Sequence, residues 1–256
     1  MKTIAVNSTK GGTGKSTLSI LLLNALTGAG YKCLAIDTDM INHSLSFYYN
    51  SGILPEEIFK KNVFKVFSGE EIKDNTFTIN DNLDLLHADV RLTDYRSTES
   101  FKKLKKAMEG LKYDFTIIDT APTFDNITVN VFSTSDILLV PINLDIFNYQ
   151  SVQYLFDKLE EIGLSELDVN IIFNQYEKPK TDNKETVSNQ IIDIFKDDKR
   201  LKGYICPYYI SKSNIIKKYI NDWSYRISAR KETKKQYEEI TSLIQKITDT
   251  TIEGDI

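Results

Sequence analysis

The sequence predicts a three-layer α/β fold, in which a mostly parallel, twisted sheet of about seven strands carries helices on both faces. Short runs rich in β-branched residues alternate with longer segments of helical spacing, which favours right-handed βαβ units. The runs are almost continuously apolar, as expected for strands that are covered on both sides. Because 41% of the 256 residues are hydrophobic, the chain can form one large core. We therefore expect a single domain over residues 1–256.

The predicted strands are Thr3–Asn7, Cys33–Asp37, Leu83–His87, Phe115–Asp119, Ile137–Ile142, Val169–Asn174 and Tyr204–Cys206. The predicted helices lie near 15–29, 55–67, 98–111, 124–134, 147–162, 184–196, 213–220 and 228–247. Ligands of open parallel sheets bind beyond the carboxyl ends of the strands. Polar residues that follow these runs are therefore the first candidates for a functional site.

The composition excludes several classes of protein. Lys and Arg number 32 against 36 Asp and Glu, a net charge of -4, which excludes a globally basic nucleic-acid binder but not a local basic surface. Cys33 and Cys206 are too few for a disulfide framework, and we expect buried structural thiols. The first residues lack the apolar segment of a signal peptide, and Ile137–Ile142 is far shorter than the roughly 20 residues of a spanning helix. We expect a cytoplasmic protein.

A glycine-rich segment, K-G-G-T-G-K-S-T, follows the first predicted strand and precedes an apolar helix. A strand, a glycine turn and a helix N-terminus together present backbone N–H groups to an anion, and glycine allows the close approach. Lys15 can neutralise the β- and γ-phosphates of a nucleotide, and Ser16 can place its hydroxyl on Mg²⁺. The residues predicted here to bind nucleotide are Lys10, Gly11, Gly12, Thr13, Gly14, Lys15, Ser16 and Thr17.

This segment departs from the strict pattern G-x-x-x-x-G-K-[S/T], since Thr9 takes the first glycine position. The order Lys10-Gly-Gly-x-Gly-Lys15-[Ser/Thr]-Thr resembles the deviant Walker A motif of the ParA/MinD (Soj-like) P-loop ATPases, and is most similar to the ParA proteins of plasmid and chromosome partition. The resemblance spans essentially the whole chain and implies a P-loop NTPase fold with ATP and Mg²⁺. It also implies a nucleotide-sandwich homodimer, in which Lys15 acts on its own subunit's nucleotide and Lys10 on that of the partner.

Two carboxylate segments extend the predicted site. Asp37-Thr38-Asp39 ends the second strand, and the resemblance assigns Asp39 to catalysis, orienting the attacking water beside the metal. Asp37 is expected to support magnesium waters or the loop. Two acidic caps on a turn are the alternative, and Met40-Ile41-Asn42 replaces the Pro-Gln and Asn usual in the family. Asp119 ends the fourth strand before Thr-Ala-Pro, in a Walker B arrangement that holds Mg²⁺ through a water.

The adenine pocket is assigned by resemblance to Asn174, after the sixth strand, and to Pro207. Simple turn chemistry is the alternative for Asn174. The resemblance implies ATP rather than GTP, and in agreement Asn174-Gln175-Tyr176-Glu177 does not form the guanine-reading N-K-x-D pattern. The metal site is then expected to comprise Ser16, Asp39 and Asp119.

Residues 211–235 form a basic segment, with eight Lys and Arg against two acidic residues and interleaved aromatic side chains. Such a surface binds DNA without sequence preference and weakens steeply with salt. A solvated helix face is the alternative, and the resemblance to ParA favours DNA. The candidate contacts are Lys212, Lys217, Lys218, Arg226 and Arg230.

The resemblance implies an ATPase for DNA partition that dimerises with ATP, binds nucleoid DNA nonspecifically and is stimulated by a centromere-binding ParB-like adaptor. Relatives that position a flagellum, a chemoreceptor array or conjugation machinery share the same catalytic residues and stay open, as does a nucleotide-binding adaptor without turnover. A MinD-like membrane ATPase is disfavoured, since the chain ends in an acidic segment and Ile240, Leu243, Ile244 and Ile247 are expected to pack on the sheet. A nitrogenase-reductase-like enzyme is rejected because Cys33 and Cys206 lie in strand-like positions.

Overall fold

The computed structural model describes residues 1–50, 52–97, 101–177, 187–221 and 234–252. Within them the chain forms an eight-stranded sheet in the order β3-β4-β2-β5-β1-β6-β7-β8. The strands are β1 (Lys2–Val6), β2 (Cys33–Asp37), β3 (Phe77–Asn80), β4 (Leu83–Leu86), β5 (Phe115–Asp119), β6 (Ile137–Ile142), β7 (Asp168–Tyr176) and β8 (Ile205–Ser211).

All neighbouring strands are parallel except β3 and β4, which are antiparallel. The central strand β1 lies between β5 and β6, and Val6 at its end is level with Asp119 and Leu139. Asp37 at the end of β2 is also level with Asp119. The loops that follow β1, β2, β5, β6 and β7 therefore meet at one edge of the sheet.

The helices are α1 (Lys15–Gly28), α2 (Ser44–Tyr49), α3 (Pro55–Lys60), α4 (Val63–Phe67), α5 (Ile72–Asn75), α6 (Lys103–Met108), α7 (Asn126–Thr134), α8 (Ile146–Glu161), α9 (Val187–Asp197), α10 (Asn214–Asn221) and α11 (Lys234–Thr248). One core lies under α4 and α6 to α9, and a second under α1, α2 and α11. The predicted three-layer architecture is confirmed, and so is the burial of Cys33 and Cys206, which raises the pKa of both thiols.

The observed elements differ in detail from the predicted ones. The sheet has an eighth strand, β3, which the sequence analysis missed because it is only four residues long, with alternating half-buried and exposed side chains. The single helix expected over 55–67 is two helices, since the buried Asn62 caps α4 through the Lys65 amide and turns its own Nδ2 towards the Ile58 carbonyl. The short helices α2 and α5 were not predicted.

The apolar residues of α11 lie where the sequence analysis expected them. Ile240, Leu243 and Ile244 are almost fully buried in the second core, and Ile247 lies beside them. Their burial leaves the apolar face of α11 turned towards the sheet. Among the described residues, no helix combines the length and apolar character needed to cross a bilayer.

Candidate functional site

The glycine-rich segment forms a turn between β1 and α1 whose backbone only glycine adopts easily. Gly12 and Gly14 have φ angles of 76° and 91°, in the left-handed region. A Cβ on Gly14 would lie 2.3 Å from the Asn174 Nδ2. Gly14 is also the N-cap of α1, and no side chain of the described residues caps that end of the helix. The first N–H groups of α1 are therefore available to an anion.

Side-chain amides from β7 and from the loop after β6 donate hydrogen bonds to the backbone carbonyls of the glycine turn. The Asn174 Nδ2 donates to the Thr13 carbonyl at 2.7 Å, and the Gln175 Nε2 donates to the Gly12 carbonyl at 3.1 Å. Asn143 makes a longer bond to the same Gly12 oxygen, at 3.4 Å. These bonds hold the two carbonyls towards the amides and so fix the orientation of their peptide planes.

Lys15 begins α1 and lies beside two carboxylates. Its side chain is buried, which lowers the pKa of Lys15, while the charges of Asp119 and Asp39 oppose the change. A buried ammonium close to carboxylates and to free N–H groups is suited to a strongly anionic ligand. The sequence analysis placed Lys15 at the phosphates, and its position next to the turn is consistent with that role.

Asp119 and Asp37 are fully buried neighbours at the ends of β5 and β2. Burial, and then the charge of Asp37, raises the pKa of Asp119, while Ser16, Lys15 and Ser19 act in the opposite direction. Burial likewise raises the pKa of Asp37, although its carboxylate accepts bonds from the Asp39 and Ser46 amides at 2.9 and 2.8 Å. Asp37 thus supports the loop, which is one of the two roles expected for it.

A divalent cation fits this arrangement. The Asp119 Oδ1 accepts a bond from the Ser19 hydroxyl at 3.1 Å, whereas its Oδ2 is buried and has no hydrogen-bond partner in the described part of the chain. Among the described residues no three His, Cys, Asp or Glu side chains gather to form a complete metal cage. Mg²⁺ is commonly held by one or two protein oxygens together with phosphates and waters. Asp119 and the Ser16 hydroxyl could supply the protein part of such a site.

Asp39 caps the turn that follows β2. Its Oδ1 accepts bonds from the Ile41 and Asn42 amides at 3.1 and 3.0 Å, and its Oδ2 accepts one from the Asn42 side chain at 3.0 Å. Asp39 is buried near Lys15 and Asp119, so these three of the five predicted catalytic and metal-site residues lie close together. The alternative of an acidic cap on a turn is seen for this carboxylate, and its role in catalysis stays a prediction.

Lys10 does not point into its own turn. Its Nζ lies 2.9 Å from both carboxylate oxygens of Asp145, which is the N-cap of α8 and also accepts the Asn148 amide. Partial burial raises the pKa of Asp145, but the hydrogen bonds from Lys10 and Asn148 outweigh this effect and hold the pKa below its usual value. The Lys10 ammonium also lies 5.3 Å from the centre of the Phe147 ring.

The two residues that were assigned to adenine have different neighbours in the structure. Asn174 contacts the glycine turn, as described above. Pro207 is exposed in β8, at a break in the register with β7, and lines a cleft of about 530 Å³ with Tyr176, Tyr209 and residues of α9. Their predicted role at adenine is untested and stays a prediction.

The remaining predicted residues occupy two regions. Gly11 lies exposed in the turn, and Thr17 lies in the first turn of α1. Lys212 forms an ion pair with Glu177 at 2.5 Å, and Lys217 and Lys218 are exposed on α10. Arg226 and Arg230 lie outside the described residues.

Several buried polar atoms around the turn have no hydrogen-bond partner within the described residues. They are Asn7 Oδ1, Thr13 Oγ1, Asp119 Oδ2, Asn143 Oδ1 and Asn148 Oδ1. Buried polar groups are usually satisfied, so this concentration indicates a polar ligand. The sequence analysis missed Asn7, Ser19, Asn143 and Asp145, although Asn143 and Asp145 follow the apolar run Ile137–Ile142 and could have been found as polar residues at a strand end.

A parallel sheet with a glycine turn, a buried lysine at a helix N-terminus and a carboxylate on the neighbouring strand defines a P-loop nucleotide-binding protein. A family model described as an AAA domain matches residues 1–174. An uncharacterized protein of Methanocaldococcus jannaschii is 32% identical over 198 residues, which cover 70% of this chain and 74% of that protein. The chromosome-partitioning ATPase Soj of Treponema pallidum is 28% identical over 77% of this chain and 79% of its own length.

The fold is also found in solved structures. A Borrelia burgdorferi protein bound to AMPPNP matches with a TM-score of 0.81 and 24% identity, over 96% of this chain and 98% of that one. The chain therefore belongs to this AAA-domain family, and specifically to the ParA/MinD-like P-loop ATPases. The predicted resemblance and the predicted fold are both confirmed.

Proposed function

We propose that the protein is a Mg²⁺-dependent ATPase of ParA type that segregates DNA. In this proposal ATP drives formation of a sandwich homodimer, and the dimer binds nonspecific DNA. A centromere-binding ParB-like adaptor stimulates ATP hydrolysis, which releases the protein from the DNA. The protein would then be cytoplasmic and associated with the nucleoid. Relatives that carry other cargoes share this chemistry, and the partner alone separates them from a DNA-partition protein.

The observation that carries the proposal is the position of Lys10. Its side chain is one-third exposed and is held by Asp145 at the rim of the phosphate turn, outside the turn itself. Once the bond to Asp145 opens, the ammonium would be able to contact a group that approaches from outside the subunit. Large apolar side chains on the flanking loops are also exposed, with Phe47 at 75%, Ile41 at 72% and Phe147 at 66%. A second subunit that covers this edge would remove those side chains from water.

The chemistry requires little beyond positioning and charge stabilisation. Lys15 and the uncapped N–H groups of α1 would hold the phosphates, and the Asp39 carboxylate would orient the attacking water. When bound, Mg²⁺ would neutralise charge on the β- and γ-phosphates, with Asp119 and Ser16 as its protein partners. Asn7 and Thr13 would supply further polar atoms around the phosphates.

Nucleotide binding and dimer formation can be tested separately with two lysine variants. Lys15→Ala should weaken ATP binding by roughly a hundredfold, because a charge-assisted contact to the phosphates is lost. Lys10→Ala should retain ATP binding but lose the ATP-dependent dimer in light-scattering measurements. Dimerisation of Lys10→Ala at the wild-type ATP concentration would overturn the role of Lys10 across the interface.

DNA binding is tested by the salt dependence of affinity for a duplex of arbitrary sequence. Lys217 and Lys218 are adjacent exposed lysines on α10, and their joint replacement by Ala should reduce the slope of log affinity against log salt by about 1–2. A joint Lys105/Lys106→Ala variant on the exposed part of α6 is a matched control, since it removes the same charge elsewhere. An equal effect of both pairs would place the contact surface elsewhere.

A further inference from the structure

The side chain of Asn24 joins three helices. Asn24 lies on α1, and its Oδ1 accepts a hydrogen bond from the Tyr49 hydroxyl at 2.9 Å. Its Nδ2 donates to the hydroxyl of Tyr48 at 3.2 Å and to that of Tyr219 at 3.4 Å. Tyr48 and Tyr49 belong to α2, whereas Tyr219 belongs to α10. One carboxamide with two N–H groups therefore links α2 to α10 through α1.

Helix α2 is bonded to the segment at the end of β2 that carries Asp37 and Asp39. The Ser46 amide of α2 donates to Asp37, and the His43 amide that precedes α2 donates to the Asp39 carbonyl at 3.1 Å. The Asp39 carboxylate holds the intervening turn through the Ile41 and Asn42 amides. A ligand that draws this carboxylate away must change these bonds, and with them the start of α2.

The α10 end lies beside the candidate DNA contacts. Tyr219 follows Lys217 and Lys218, and it packs with Ile220 against the second core. By contrast α1 is firmly held, because Leu22, Leu23, Ala25 and Leu26 around Asn24 are all fully buried. The backbone at Asn24 is thus held in place, while its side chain contacts α2, which is bonded to the Asp37–Asp39 segment, and α10 at the surface.

We propose that Asn24 is a positioning residue that transmits nucleotide-dependent movement of α2 to α10. When the Tyr48 and Tyr49 hydroxyls shift, the carboxamide reorients and its longest bond, to Tyr219, is made or lost. The orientation of α10 then depends on the nucleotide at the other end of α1. This inference rests on the proposed function only in treating the Asp39 loop as responsive to nucleotide. The contact between Asn24 and α10 does not depend on DNA binding.

The test measures hydrogen exchange of the α10 amides with Mg²⁺ alone and with Mg²⁺ and AMPPNP. Wild-type protein should show a change in α10 protection of about fivefold or more on addition of AMPPNP. Tyr219→Phe removes only the hydroxyl that reaches Asn24, and it should abolish this change while AMPPNP affinity stays within about twofold. Tyr208→Phe makes the same chemical change at a phenol that is 40% exposed in β8, and it should behave as wild type.

A second variant removes the hydrogen bond between Asn24 and α2 instead of the one between Asn24 and α10. Tyr49→Phe should also abolish the change at α10, and the double variant with Tyr219→Phe should add nothing further, because both remove the same connection. An α10 response that persists in both single variants, or a wild-type α10 that does not respond to bound AMPPNP, would overturn the inference. Failure of the proposed function is distinguishable, since it appears as absent AMPPNP binding or absent hydrolysis in the wild-type protein.

Discussion

The ammonium group of Lys10 lies 2.9 Å from both oxygens of Asp145 in the same chain. In the proposed dimer this ammonium contacts the partner's nucleotide, so the internal ion pair must open first. Asp145 therefore acts against dimer formation, and the structure shows which contact has to be exchanged. The ion pair is about one-third exposed, so the expected effect is modest.

Asp145→Asn should release Lys10 and preserve the helix cap, because Asn is as good an N-cap as Asp. We expect the ATP concentration for half-maximal dimerisation to fall about two- to fivefold. Asp157→Asn is the control, because Asp157 lies on the same helix, α8, and its replacement removes a different ion pair, the one with Arg200. Weaker dimerisation of Asp145→Asn would instead make this carboxylate a contact within the dimer.

Replacing Asp39 separates its structural role from its proposed catalytic role. Asp39→Asn keeps an oxygen that can accept the Ile41 and Asn42 amides but loses the charge that would orient water. We expect kcat for ATP hydrolysis to fall about a hundredfold or more, and the ATP-bound dimer to accumulate. Asn42→Ala removes one bond to the same carboxylate and should have a much smaller effect. Normal turnover of Asp39→Asn would show that this carboxylate is not catalytic.

The geometry of the glycine turn predicts that two nearby Gly→Ala substitutions change the stability of the protein by different amounts. Gly14→Ala places a methyl group 2.3 Å from the Asn174 Nδ2 at a φ of 91°, and it should destabilise the nucleotide-free protein by at least about 1 kcal/mol. Gly11→Ala meets no atom within 4 Å and should change stability by less than about 0.5 kcal/mol. Chemical denaturation without nucleotide measures both. Equal stability of the two variants would contradict the described turn.

The buried carboxylate of Asp119 predicts a pH-dependent stability. Its folded pKa is raised above the ordinary 3.8, first by burial and then by Asp37, so its ionisation costs stability as pH rises above about 4. Asp119→Asn should therefore be more stable than wild type at pH 8 in EDTA, by roughly 1–3 kcal/mol, and should approach it near pH 4. The same variant should lose Mg²⁺-dependent nucleotide binding. A stability difference that is independent of pH would refute this account.

The fold was predictable to the extent that burial leaves a local pattern. The central strands, such as Phe115–Asp119, are continuously apolar and their bounds agree with the structure. In the edge strand β3, half-buried and exposed side chains alternate over only four residues, and the helix α2 after Asp39 is only six residues long. Both elements are therefore too short to leave a strong sequence pattern. The break at Asn62 depends on one buried cap, which only tertiary contacts reveal.

The glycine turn was predictable because its glycines, Lys15 and Asp119 are constrained by local sequence and strand position. The partners of those residues were not. Asp145 contacts Lys10 across 135 positions, and Asn174 contacts Thr13 across 161. Such pairs are brought together by the strand order, and a single sequence carries no signal for them beyond their place at strand ends.

The strand order also has a consequence during synthesis on the ribosome. β1 is completed at Val6, yet its two neighbours in the sheet end at Asp119 and Ile142. The glycine turn therefore lacks its neighbouring strands until more than half of the chain has been translated, on the order of ten seconds after β1 itself. A nascent chain truncated before β6 should not retain ATP, and chaperones would encounter β1 as an exposed apolar segment throughout that interval.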